Sequence, residues 1–140
     1  MTAPPLRYVR RATVERPVDG DTVALLVDMG FSTYVRFSCR VMLDKAASID
    51  TPERGHRGVK EASAAAAALL PVGTRVTVES LSFTDKFGGR FDGRVWLPDG
   101  EDFAAAMLAT GYALPWPLGQ PKPFPRTGEP ARAPIIYTWP

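Results

Sequence analysis

Ile49-Asp50-Thr51-Pro52-Glu53 sets two carboxylates three residues apart, at a point where a strand pattern gives way to a helix pattern. Asp50 can project a hard oxygen ligand from a strand end. Pro52 fixes its own φ and biases Thr51 away from the α region, so the turn is stiff and Glu53 has a defined direction. Such a junction can hold a metal ion. The competing reading is a plain helix start, with Thr51 as N-cap, Pro52 at the first helical position and Glu53 favoured by the helix dipole. On this pentapeptide alone both readings stand.

The rest of the composition narrows the metal. One cysteine, Cys39, excludes an internal disulfide and a cysteine zinc cluster, and one histidine, His56, leaves few soft ligands. Any metal must therefore be held mainly by oxygen, which points to Ca²⁺ or Mg²⁺. A net charge of +2 does not announce nucleic acid. Local basic clusters could still bind phosphate: Arg7, Arg10 and Arg11; Arg36 and Arg40; Lys86, Arg90 and Arg94. Each is equally readable as a solvated strand face. No apolar run is long enough to span a bilayer, so no membrane partner is expected. The first residues lack an apolar signal segment, which predicts an intracellular, cytoplasmic protein.

These residues need elements to position them. Residues 6 to 14 and 21 to 28 read as strands joined through Asp19-Gly20, a hairpin signal. From Phe31 to Leu43 the alternation puts Phe31, Val35, Phe37, Cys39, Val41 and Leu43 on a core face and Tyr34, Arg36 and Arg40 on the other. The alanine-rich stretch from Gly58 to Leu70 is a helix stopped by Pro71. A fourth strand over 74 to 83 slips phase between Val78 and Leu81, which predicts a β-bulge. A fifth runs from Arg90 to Leu97, and Asp102 can cap a short helix over 103 to 110. Eight of the 14 prolines fall in residues 115 to 140, which predicts an extended tail whose aromatic residues pack back in part. The expectation is an α+β, mainly β chain: a five-stranded OB-fold Greek-key barrel with two helices over residues 1 to 114, then a Pro-rich tail over 115 to 140.

Three pieces, Val18-Asp19-Gly20-Asp21-Thr22, Ile49-Asp50-Thr51-Pro52-Glu53 and Asp85-Lys86-Phe87-Gly88-Gly89-Arg90, resemble in order the motifs of the staphylococcal nuclease (thermonuclease) family. The resemblance covers about residues 6 to 113. It implies a Ca²⁺-dependent hydrolase of phosphodiester bonds, acting on DNA and RNA with little sequence preference, as a monomer. It further implies Asp21, Asp50 and the Thr51 carbonyl as calcium ligands and Glu53 as the base for the attacking water. Arg90 would contact the scissile phosphate, and Lys86 and Phe87 would hold the substrate. The family's remaining arginine matches Lys45 by spacing, or Arg40 if residues 44 to 48 are an insertion; a guanidinium suits the role better. The rival expectation is a catalytically inactive OB-fold module that binds nucleic acid or protein. The tail departs from the family, lacking its usual final helix.

Overall fold

The structure, a computed structural model, describes residues 1–85 and 89–139. Two antiparallel pairings begin the sheet. β1 (Val9–Pro17) pairs with β2 (Thr22–Gly30), and β2 with β3 (Thr33–Asp44). β4 (Ala47–Asp50) turns back on β3 through Asp44, whose Oδ1 accepts from the Ala46 and Ala47 amides at 2.7 and 3.1 Å. After helix α1 (Val59–Leu69) come β5 (Arg75–Thr84) and β6 (Arg90–Trp96), then helix α2 (Phe103–Ala109) and β7 (Leu114–Pro117). β6 lies parallel to β3 and antiparallel to β5, and β5 returns to β1. The pairings β1–β2–β3–β6–β5–β1 therefore close a ring of strands, as expected for a mainly β chain with two helices.

Inward residues of the ring fill its core. Val14, Val23, Leu25, Cys39, Val41, Val78 and Val95 are buried there, and Phe103 and Met107 of α2 close one end. α1 presents Ala62 and Ala66, four apart and both buried, so its backbone comes close to its neighbours. α2 starts where expected, with Asp102 Oδ1 accepting from the Ala104 and Ala105 amides. The anticipated bulge in β5 is a register shift between Ser80 and Ser82.

Three elements differ from the sequence reading. Phe31 is fully exposed, because it occupies the β2–β3 turn at φ 56 and not the strand. Residues 51 to 53 are not a helix start: α1 begins only at Val59, after a turn in which the His56 amide donates to the Glu53 carbonyl at 3.1 Å. Part of the tail is strand, since β7 pairs antiparallel with β4 over Leu114 to Pro117. A four-residue strand with two prolines carries too little period to be seen in sequence.

Gly93 of β6 faces Ser80 of β5 with no room for a side chain. An added Cβ would strike the Glu79 carbonyl and lie 2.7 Å from the Phe91 ring. Gly93→Ala is expected to cost about 2 kcal/mol, the scale of overpacking a core, measured as a lower urea midpoint at unchanged slope. A loss below about 0.5 kcal/mol would mean that the strands part freely.

Candidate functional site

Asp21 and Asp50 come from neighbouring edges because β3 lies between β2 and β4. The turn before β2 is fixed locally. Val18 and Asp19 amides donate to the Thr22 carbonyl, the Asp21 amide donates to Asp19 Oδ1 at 3.0 Å, and the Asp21 carbonyl accepts from Val41 of β3 at 3.0 Å. Asp21 Oδ2 then accepts from the Thr51 amide at 3.2 Å and the Thr51 hydroxyl at 3.3 Å. Only glycine fits at position 20, since a Cβ there would sit 2.7 Å from Thr51 Cγ2. The Asp-Gly-Asp spacing thus has a packing cause as well as a chemical one.

Asp19, two residues before Asp21, faces its carboxyl. Burial, and next the facing Asp21 carboxyl, push Asp19 up to about 7, against the pull of the Asp21 amide and the Arg40 guanidinium. Asp50 ends β4 fully buried. Its Oδ1 accepts from the Lys122 ammonium and its Oδ2 from the Phe124 amide at 3.0 Å. Burial pushes the Asp50 carboxyl up, and these two donors oppose it. Glu53 behaves differently. Partial burial would raise it, but the Thr127 amide, the Lys122 charge and the Thr127 hydroxyl together hold it below the usual carboxylate range. The hydroxyl lies 3.1 Å from Glu53 Oε2, and Lys122 Nζ lies 3.5 Å from Oε1.

The cations divide clearly. Arg40, paired across the strands with Thr22, points its Nη2 to the Ile49 carbonyl at 3.5 Å, with its guanidinium 5.2 Å from the Trp116 ring centre. Arg90, at the start of β6, shares with Arg40, Ser48, Asp92, Trp116 and Gln120 a cavity of about 260 Å³. Lys45 instead sits exposed in the β3–β4 turn. Arg94 is bound to Asp102 at 2.7 Å and stacks over Trp96, and Arg36 pairs with Glu15 at 3.0 Å, so neither joins this group. The Lys86 and Phe87 assignments lie outside the described residues. His56 Nε2 donates to the Arg126 carbonyl at 2.9 Å, which makes it a tail contact.

Sequence reasoning missed Asp19, Lys122 and Thr127. Asp19 was visible as the second carboxylate of its own motif. Lys122 is the one lysine of the tail and stands between Pro121 and Pro123, which restrict the backbone that carries it. Thr127 carries no such signal.

The donor set is all oxygen: the Asp21 and Asp50 carboxylates and the Thr51 carbonyl. This chemistry fits a hard cation whose remaining positions are water. Among the described residues no group of three or more His, Cys, Asp or Glu is gathered tightly enough to hold a metal by itself. A positive charge nonetheless already stands at Asp50 and Glu53, in the form of the Lys122 ammonium. Among the described residues no helix is long and apolar enough to cross a membrane. Comparison with known proteins finds no matching family model and no matching curated protein.

Proposed function

We propose that the chain is a Ca²⁺-dependent nuclease of the staphylococcal nuclease family, built on an OB-fold Greek-key barrel, that hydrolyses DNA and RNA with little sequence preference. The observation that carries this reading is the meeting of the two acidic motifs, the Thr51 amide on the Asp21 carboxylate, with Arg40 reaching the Ile49 carbonyl of the second motif and lining a cavity together with Arg90. Separately weak motifs become informative when they share one site. A monomer in the cytoplasm is part of the same proposal.

Asp21, Asp50 and the Thr51 carbonyl would hold the calcium ion, which when bound neutralises phosphoryl oxygens and stabilises the charge that develops on them. Arg40 and Arg90 bind the phosphate through paired N–H donors and remain charged at any working pH. Glu53, kept ionised, accepts the proton of the attacking water. Trp116 walls the phosphate cavity and excludes water from one side of it.

Digestion of plasmid and RNA with Ca²⁺, Mg²⁺ or EDTA tests the reading. Cleavage is expected with Ca²⁺, weakly with Mg²⁺, and none with EDTA, because few fixed ligands suit the larger and more flexible coordination sphere. Cleavage indifferent to chelation would remove the metal from the mechanism. A second reading, a non-catalytic nucleic-acid or protein binding module, is favoured by one observation: the tail occupies both Asp50 and Glu53. Binding without cleavage under every condition would establish it.

A further inference from the structure

We propose that residues 121–127 form a strap that competes with the metal, the Lys122 ammonium holding Asp50 and Glu53 until a divalent cation displaces it. This rests on the calcium site proposed above. Asp50 is fully buried, and a buried carboxylate without a counter-charge is strongly destabilising. Lys122 supplies that charge with a side chain only 7% exposed. The Phe124 amide takes the other Asp50 oxygen, and Thr127 takes Oε2 of Glu53 through its amide and hydroxyl. The strap therefore meets one expected metal ligand and the expected base at once. Lys122 and the Phe124 amide occupy both Asp50 oxygens, and two cations on one buried carboxylate repel, so a metal at Asp50 and the Lys122 ammonium weaken each other's hold.

The strap is built to hold its shape. Pro121, Pro123 and Pro125 alternate through it, which lowers the entropy lost on docking. Arg132 donates to the Lys122 and Pro123 carbonyls at 3.1 and 3.2 Å, the Ile135 amide to the Pro123 carbonyl at 2.9 Å, and the Tyr137 hydroxyl to the Pro121 carbonyl at 2.8 Å. These contacts lie within the tail itself, so the tail can lift as a unit. Gly119, at φ 79, stands between β7 and the strap, where the backbone can change at little steric cost.

If a closed strap blocks the cation, the observed affinity falls by the fraction of open molecules. Removing or loosening the strap must then tighten calcium binding. The experiment is calorimetric titration of CaCl₂ into the full-length protein, Lys122→Gln and Arg132→Ala, with hydrogen exchange of the wild type with and without CaCl₂. Lys122→Gln is expected to bind calcium at least about tenfold more tightly, a difference of about 1.4 kcal/mol. Arg132→Ala, which touches neither carboxylate, is expected to shift the same way by a smaller factor and decides the matter if Lys122→Gln fails to fold. In the wild type, saturating calcium is expected to speed exchange of the Phe124 and Thr127 amides at least about tenfold, as lost protection requires. Equal calcium affinity in all three proteins, or amides that stay protected at saturation, would overturn the competition while wild-type cleavage leaves the nuclease reading intact. No calcium binding in any of the three would overturn the competition together with the metal site.

Discussion

Glu53→Gln is expected to lower turnover on the order of a hundredfold, the scale of losing a positioned general base, with substrate affinity little changed. Glutamine keeps the length and still offers a carbonyl oxygen to Thr127, so the strap contact at this position survives in part. What goes is the charge that accepts a proton. Single-turnover cleavage of a labelled oligonucleotide at saturating Ca²⁺ measures it. If turnover falls less than a few-fold while calcium and DNA still bind, Glu53 only anchors the tail. Another group would then activate the water.

The second large effect is expected from Arg40→Ala, again about a hundredfold in turnover, because one donor aimed at developing charge is typically worth that much. Arg40 borders the cavity that Arg90 and Trp116 also line, whereas Lys45 lies in the exposed β3–β4 turn. Lys45→Ala is therefore expected to keep near wild-type turnover. The two variants, assayed side by side at saturating Ca²⁺, separate the assignments. A larger loss for Lys45→Ala would transfer the phosphate contact to it. Full activity in both would leave the phosphate to Arg90.

Strong local periods made most of the ring legible. The clean alternation from Val35 to Leu43 gave β3, the alanine run gave α1, and the phase slip near Leu81 gave the bulge in β5. Phe31 misled because alternation cannot tell a strand end from a turn that takes positive φ at a non-glycine residue. The acidic half of the site was also legible, since Asp21, Asp50 and Glu53 sit in short motifs whose spacing is fixed by the hairpin and the Thr-Pro turn. Its counter-charge was not. Lys122 reaches Asp50 from 72 residues away through a proline-rich segment with no period, and only tertiary packing joins them. The choice between Arg40 and Lys45 turned on whether residues 44 to 48 bulge out or continue a strand. They do neither throughout: the Asp44 side chain, by bonding to the Ala46 and Ala47 amides, makes a turn at Lys45 and Ala46, and Ala47 and Ser48 already belong to β4.

That separation of 72 residues also has a meaning in time. At about 5–20 residues per second, a ribosome delivers Asp50 roughly four to fourteen seconds before Lys122 exists. Hairpins such as β1–β2 and β2–β3 form in microseconds, far inside that interval. A nascent chain thus carries Asp50 and Glu53 for seconds before its own ammonium is synthesised. Whatever cations the surrounding solution holds have first access to those carboxylates, and the lysine arrives as the latecomer.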